Sequence, residues 1–63
     1  MRLSVIIAAY NEASTIRNIV QRVRAVPLDI EIVAVDDCSV DGTGALLDQL
    51  HAEGKIEVVE HHL

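Results

Sequence analysis

The chain has 63 residues and a net charge of −5, from ten acidic and five basic residues. That length allows one small domain, and Cys38, the single cysteine, rules out an intramolecular disulfide. There is no basic stripe with interleaved aromatic residues, which argues against nucleic-acid binding. No apolar stretch approaches the roughly 18 residues of a membrane span, so we expect a soluble, cytoplasmic chain.

The first half of the chain predicts a strand followed by a helix. Leu3 to Ala9 form a nearly continuous apolar run, which is typical of a strand covered on both faces. Asn11 is a good N-cap, and Glu12 suits the first helical turn. Apolar residues at helical spacing then predict a helix of about 13 residues that ends near Ala25.

The second half repeats this alternation. Residues 30–35 predict a second strand, and Asp41 or Thr43 can cap a second helix that Gly54 ends. Residues 56–60 predict a third strand. The fold class is therefore α/β, with parallel strands in the order β-α-β-α-β.

This topology leaves one face of the sheet open. Crossovers between parallel strands are right-handed, so a sheet in the order 3-2-1 has both helices on the same face. Whichever face stays open presents large aliphatic groups, because Leu3, Val5, Ile6 and Ile7 share the first strand. We expect that residues 1–63 are a single partial domain, and that self-association or a missing C-terminal part covers this face.

Two motifs follow the first two strands. Tyr10-Asn11-Glu12 ends the first apolar run, and Asp36-Asp37-x-Ser39-x-Asp41-Gly42-Thr43 ends the second. In this order they resemble the opening of family 2 inverting glycosyltransferases, in particular polyprenyl-phosphate (dolichol-phosphate) mannose or glucose synthases. Ala8 stands where that family commonly has proline, and Cys38 where it commonly has glycine. Both departures lie near the expected base pocket, so nucleotide affinity is the property they affect.

The resemblance implies the nucleotide-binding N-terminal part of a GT-A (Rossmann-like) domain. Its substrate would be a UDP- or GDP-sugar, and its acceptor a polyprenyl phosphate. A divalent cation, Mg or Mn, is expected for the full-length family member, whose metal ligands and catalytic base would lie beyond residue 63. We therefore expect the 63-residue chain alone to be inactive. The parent enzyme can still be membrane-associated on the cytoplasmic face.

The resemblance also implies a set of nucleotide-binding residues: Ala8, Ala9, Tyr10, Glu12 and Asp37. An ionised carboxylate only accepts hydrogen bonds and can read an N–H of a base, which suits Asp37. Tyr10 would flank the base, although it can instead fill the core. Glu12 would reach the ribose or base, or simply complement the helix dipole. Asp36 points to the other face of the strand and is expected to be structural.

A different class of function is also open. The residues from Asp37 to Asp48 fit a loose EF-hand calcium loop, with Gly42 at its sixth position. The strand predicted before this loop argues against it, because an EF-hand needs a helix there. The alternative is therefore a small non-enzymatic α/β interaction or calcium-binding module. The three histidines show no spacing typical of a ligand set.

Overall fold

The computed structural model describes residues 2–62. Its elements, in chain order, are β1 (Leu3–Ala9), α1 (Ile16–Arg24), β2 (Ile30–Asp37), α2 (Thr43–Ala52) and β3 (Val58–His62). The three strands form one parallel sheet in the order β1-β2-β3. The predicted β-α-β-α-β fold with parallel strands is confirmed. No helix among residues 2–62 has the length and apolar character to cross a membrane.

Both helices cover the same face of the sheet. The strand side chains beneath them alternate with exposed ones, which is the period of two expected of a strand. They pack with both helices in one apolar core, made of Ile7, Ala9, Ile16, Val20, Ile30, Ile32, Ala34, Leu47, Leu50 and Ile56. The one-sided helix cover predicted from the topology is therefore confirmed.

The opposite face of the sheet is open and apolar at its centre. Ile6, Val33 and Val58 lie side by side across the three strands. The Ile6 side chain is 72% exposed and that of Val58 is 39% exposed. We call this row the open face. Contiguous apolar residues that stay exposed are typical of a surface on which another element or chain packs.

Helix α1 is shorter than predicted and does not begin at Asn11. A turn precedes it, in which the Thr15 and Ile16 amides donate to the Glu12 carbonyl, and Thr15 is the N-cap. Asn11 has a positive φ of 51° and bonds to the next loop instead of to a helix. The prediction of Asn11 as N-cap was therefore wrong, because contacts between loops outweigh its capping preference.

Strand β3 begins two residues later than predicted. Ile56 is buried in the core at 2% exposure, but it precedes the strand. The apolar pattern therefore predicted the burial of Ile56 correctly, but it wrongly placed the backbone of this residue in the strand. As a result β3 extends to His62, which brings His61 and His62 to the same edge as the end of β2.

Arg24 ties the amino-terminal edge of the sheet together. Its guanidinium donates to the Lys55 carbonyl at 2.8 Å and to the Ile30 carbonyl at 2.9 Å. It also pairs with the carboxylate of Glu57. These contacts hold the end of α1 against the starts of β2 and β3, at the opposite edge from the two sequence motifs.

Helix α2 ends at Ala52, and Gly54 follows its C-cap, Glu53, as the predicted C-terminal stop. The Gly54 amide donates to the His51 carbonyl, and the Lys55 amide donates to the Leu50 carbonyl. This pair of bonds is the Schellman arrangement, which needs a left-handed residue after the C-cap. Gly54 supplies it with a φ of 79°.

Candidate functional site

The two motifs meet at the carboxyl edge of the sheet. Ala9 lies opposite Asp36 in the parallel register, so Tyr10 and Asp37 follow at the ends of neighbouring strands. The Tyr10 side chain is 60% exposed, and Asp37 is exposed as well. In open α/β sheets, ligands bind in the crevice outside this edge.

The adjacent carboxylates Asp36 and Asp37 face opposite sides. Asp36 is buried at 7% exposure beneath the helices, and its Oδ1 accepts the Ser39 amide at 3.2 Å. The hydrogen bonding of Ser39, and then of His61, holds the pKa of Asp36 below its usual value despite burial. The Asp36 carboxylate is thus buried and bonded within the chain, whereas the Asp37 side chain is exposed.

The other predicted site residues also divide into exposed and buried ones. Ala8 is exposed on the open-face side, next to the strand end. Ala9 is 1% exposed and belongs to the core, so only its backbone can reach a ligand. Glu12 is half-buried, and its Oε2 accepts the Thr15 hydroxyl at 3.0 Å. The register therefore places Ala8, Tyr10 and Asp37, all exposed, at the ends of neighbouring strands, whereas the Glu12 side chain bonds in the turn before α1.

Four hydrogen bonds join the β1–α1 loop to the segment that follows β2. In three of them a backbone amide of the first loop donates to a side chain of the second, and in the fourth the direction is reversed. They are Asn11 N–H to Ser39 Oγ (2.9 Å), Glu12 N–H to Thr43 Oγ1 (2.8 Å), Ala13 N–H to Asp41 Oδ2 (3.2 Å) and Val40 N–H to Asn11 Oδ1 (2.9 Å). We call this set the loop clamp. Most of the polar residues of the two motifs take part in it.

The N-cap of α2 is Gly42. The side chain that caps the helix comes from the preceding residue, Asp41. Its Oδ1 accepts the Thr43 amide at 3.1 Å and also the Thr43 hydroxyl. The bond to that hydroxyl is the main reason why the pKa of Asp41 is lowered. With Oδ2 bound to the Ala13 amide, both carboxylate oxygens are engaged. Because a strand precedes this segment, its geometry differs from that of an EF-hand loop, which follows a helix.

His61 forms a cluster that the sequence did not reveal. Its Nδ1 lies 3.2 Å from Asp36 Oδ2, and its Nε2 lies 2.9 Å from Asp48 Oδ1. The imidazole thus links the ends of β2 and β3 to helix α2. The parallel register pairs Asp36 with His61. This pairing could not be read from the sequence, because β3 was predicted to end at residue 60.

We predict that this cluster makes stability depend on pH. The bonds to Asp48, and then to Asp36, raise the pKa of His61 above its usual value of about 6.5. A raised folded-state pKa gives stability that is complete below the unfolded pKa and is lost as pH rises through the folded pKa. The advantage of the wild-type chain over His61→Gln should therefore shrink as pH increases from about 5.5 to 8.

Urea unfolding at several pH values measures this difference. His51→Gln is the matched control, because it removes a histidine from the same helix-covered side of the molecule. The comparison shows whether the effect is specific to the histidine that contacts Asp36 and Asp48. A stability gap for His61→Gln that stays constant from acid to neutral pH would contradict the assignment.

Gly44 lies where α2 begins against this cluster. A Cβ at this position would sit 2.6 Å from Asp36 Oδ2 and 3.3 Å from His61 Cε1. In a helix, alanine normally stabilises by about 1 kcal/mol over glycine. Here overpacking reverses the sign, and we expect Gly44→Ala to destabilise the fold by about 1–3 kcal/mol.

Urea denaturation of Gly44→Ala tests this packing. Ala45→Gly serves as the control, since Ala45 is an exposed neighbour in the same first turn. It should show the ordinary sign, with glycine the less stable residue. A Gly44→Ala chain as stable as wild type would refute the close contact.

The divalent cation implied by the resemblance has no ligand set in the part of the chain described. Among residues 2–62, no group of three His, Cys, Asp or Glu side chains is arranged to hold a metal ion. At the carboxyl edge of the sheet, an exposed carboxylate and an exposed phenol can supply hydrogen bonding and stacking.

The fold is an α/β domain with a three-stranded parallel sheet, whose carboxyl edge carries the two sequence motifs. Residues 4–62 match the family described as Glycosyl transferase family 2. The chain belongs to this family, which is a family of glycosyltransferases.

One curated relative is a polyprenol monophosphomannose synthase from Mycolicibacterium smegmatis. It is 49% identical over 49 residues, which cover 78% of this chain and 18% of the relative. The matched region is thus about a fifth of the length of that protein. No solved structure matches the chain at comparable significance.

Proposed function

We propose that this chain forms the nucleotide-binding part of a glycosyltransferase that uses a UDP- or GDP-sugar. One observation carries the proposal: Tyr10 and Asp37 stand exposed at the carboxyl ends of adjacent parallel strands, within the segment that matches the family. That edge is the ligand crevice of open α/β sheets. In such a site, binding and orientation of the donor are the tasks of this part of the chain.

Asp37 is the residue to which we assign recognition of the base. Its carboxylate accepts hydrogen bonds only, and a uracil or guanine ring presents N–H groups that match it. Tyr10 would pack its ring against the base from the neighbouring strand end. The small Ala8 side chain lets a base approach the strand, and Ala9 contributes only backbone atoms. Glu12 would lie towards the ribose, since it follows Tyr10 around the turn.

We further propose that the sugar is transferred with inversion to a polyprenyl phosphate. Support comes from the printed name of the relative, polyprenol monophosphomannose synthase. With a lipid acceptor, transfer would take place at the cytoplasmic face of a membrane. We place the divalent cation and the catalytic base outside residues 2–62, where the longer relatives have most of their chain.

The open face supports the same proposal from a different direction. In a larger transferase domain, further elements of the protein would pack on Ile6, Val33 and Val58 and remove them from water. Burial of such side chains stabilises by about 1.5–3 kcal/mol each. The 63-residue chain alone would then bind nucleotide weakly, because its site would lack the walls that these elements supply.

A chimeric enzyme tests the proposal. In it, this chain replaces the matching segment of the M. smegmatis synthase, which its 49% identity makes feasible. We expect the chimera to transfer sugar from a UDP- or GDP-sugar to polyprenyl phosphate, with saturation by the donor. A folded chimera that transfers no sugar from either class of donor would contradict the proposal.

A further inference from the structure

We propose that Asn11 and Thr43 are positioning residues of the nucleotide site, acting through the loop clamp. They would hold the Tyr10–Glu12 segment in register with Asp37 before the donor arrives. This inference rests on the proposed function. It assigns a role to residues of the motifs that need not touch the nucleotide themselves.

The direction of the clamp bonds supports this role. Three consecutive amides, those of residues 11, 12 and 13, all donate to side chains that follow β2. A loop whose successive amides bond to its own residues would be fixed only internally. Here each bond joins the segment after Tyr10 to the segment after Asp37, through a backbone amide of one and a side chain of the other, so the clamp sets their relative position.

Asn11 carries the bond that runs in the reverse direction. Its Oδ1 accepts the Val40 amide at 2.9 Å, while its own amide donates to Ser39 Oγ at 2.9 Å. The residue also adopts a φ of 51°, which asparagine tolerates better than most residues do. A left-handed conformation still costs free energy for a residue that carries a Cβ atom. The two clamp bonds offset this cost, so the turn after Tyr10 depends on them.

Thr43 is the buried member of the clamp. It has no exposed surface, its Oγ1 accepts the Glu12 amide at 2.8 Å, and its hydroxyl donates to Asp41. One hydroxyl therefore links the first loop, the second loop and the first turn of α2. Loss of that hydroxyl would leave the Glu12 amide without its partner in a half-buried place.

The exposed side chains of the site explain why such a clamp matters for binding. Tyr10 and Asp37 both point into solvent, so their separation is set by the backbone beneath them. If the loops move independently, donor binding must also order them, and that ordering reduces affinity. Release of the clamp should therefore raise the KM of the nucleotide-sugar and leave kcat nearly unchanged.

Substitutions that differ only in hydrogen bonding separate positioning from folding. Asn11→Asp keeps an acceptor oxygen for the Val40 amide and still tolerates positive φ. Asn11→Gly tolerates that φ as well, but has no acceptor. Likewise Thr43→Ser keeps the hydroxyl, and Thr43→Val keeps the shape without it.

Steady-state kinetics of the chimera carrying each variant form the first test. We expect Asn11→Gly and Thr43→Val to raise the donor KM about tenfold, which corresponds to about 1.4 kcal/mol, with kcat within about twofold. Asn11→Asp and Thr43→Ser should restore a KM near that of the unaltered chimera. A KM for Asn11→Gly equal to that for Asn11→Asp would overturn the inference.

Amide hydrogen exchange on the 63-residue chain, followed by NMR, is the second test. Asn11→Gly should speed exchange at Val40 about tenfold relative to Asn11→Asp, because only the aspartate still accepts that amide. Equal exchange in the two variants would overturn the clamp itself. A chimera with the unaltered chain that never transfers sugar would overturn the proposed function and this inference together. An active chimera with an unchanged KM in Asn11→Gly would overturn the inference alone.

Discussion

Asn in place of Asp37 is expected to raise the donor KM of the chimera by about 10- to 150-fold. The exposed carboxylate is assigned two acceptor oxygens for the N–H groups of the base, and the amide keeps only one. Hydrogen bonds to a charged group contribute about 1.5–3 kcal/mol, which corresponds to that range of affinities. The acceptor polyprenyl phosphate should keep its KM, because Asp37 is assigned to the donor alone.

Glu31→Gln is the matched control for this prediction. Glu31 lies on the same strand and the same side as Asp37, but at the opposite edge of the sheet, where it accepts the Ser4 hydroxyl at 3.1 Å. Glu31→Gln removes the same charge as Asp37→Asn, but at a distance from the proposed site. Its donor KM should stay within about twofold of the unaltered chimera. An Asp37→Asn enzyme with unaltered donor kinetics would remove Asp37 from the site.

Strand β1 could be predicted from the sequence because a nearly continuous apolar run from Leu3 to Ala9 is typical of a strand in a parallel sheet. Its predicted bounds agree with the structure. The ends of helices and later strands depend on contacts between distant segments. Ile56 is apolar and buried, yet it is not in β3, and periodicity cannot separate those two properties.

In the candidate site, too, local features could be predicted from the sequence, whereas contacts between distant segments could not. That Asp36 and Asp37 face opposite sides follows from the pleat of a strand, so the burial of one and the exposure of the other could be predicted. The contacts of Asn11 could not, because its partners Ser39 and Val40 lie in another loop. Capping preference is a local property, and His61 likewise acquires its partners only through the pairing of β2 with β3.

The 63-residue chain is expected to self-associate through its open face when no other part of a protein covers it. Ile6, Val33 and Val58 form the apolar row of this face. Six such side chains from two copies would contribute at most about 9 kcal/mol at the lower value for burial, because Val33 and Val58 are already partly buried. Association costs roughly 4–15 kcal/mol in lost freedom of motion. At the low end of that cost about 5 kcal/mol remains, which corresponds to a dissociation constant of a few tenths of a millimolar.

Ile6→Lys should shift this equilibrium most strongly, because Ile6 is the most exposed member of the row at 72%. A lysine there places a charge at the centre of the contact, where it would have to be desolvated. Leu28→Lys is the control: Leu28 is also an exposed aliphatic residue, at 59%, but it lies in the α1–β2 loop, outside the open face.

Sedimentation velocity across about 10 to 500 µM measures the outcome, a range that brackets the association estimated from buried area. We expect the wild-type and Leu28→Lys chains to sediment faster as concentration rises, and Ile6→Lys to stay monomeric over the same range. The reason is that only Ile6→Lys alters the surface that two copies would share. A wild-type chain that remains a compact, cooperatively folding monomer at the highest concentration would show that the open face is stable in water. The open face would then give no reason to expect that further elements of a larger domain pack on it.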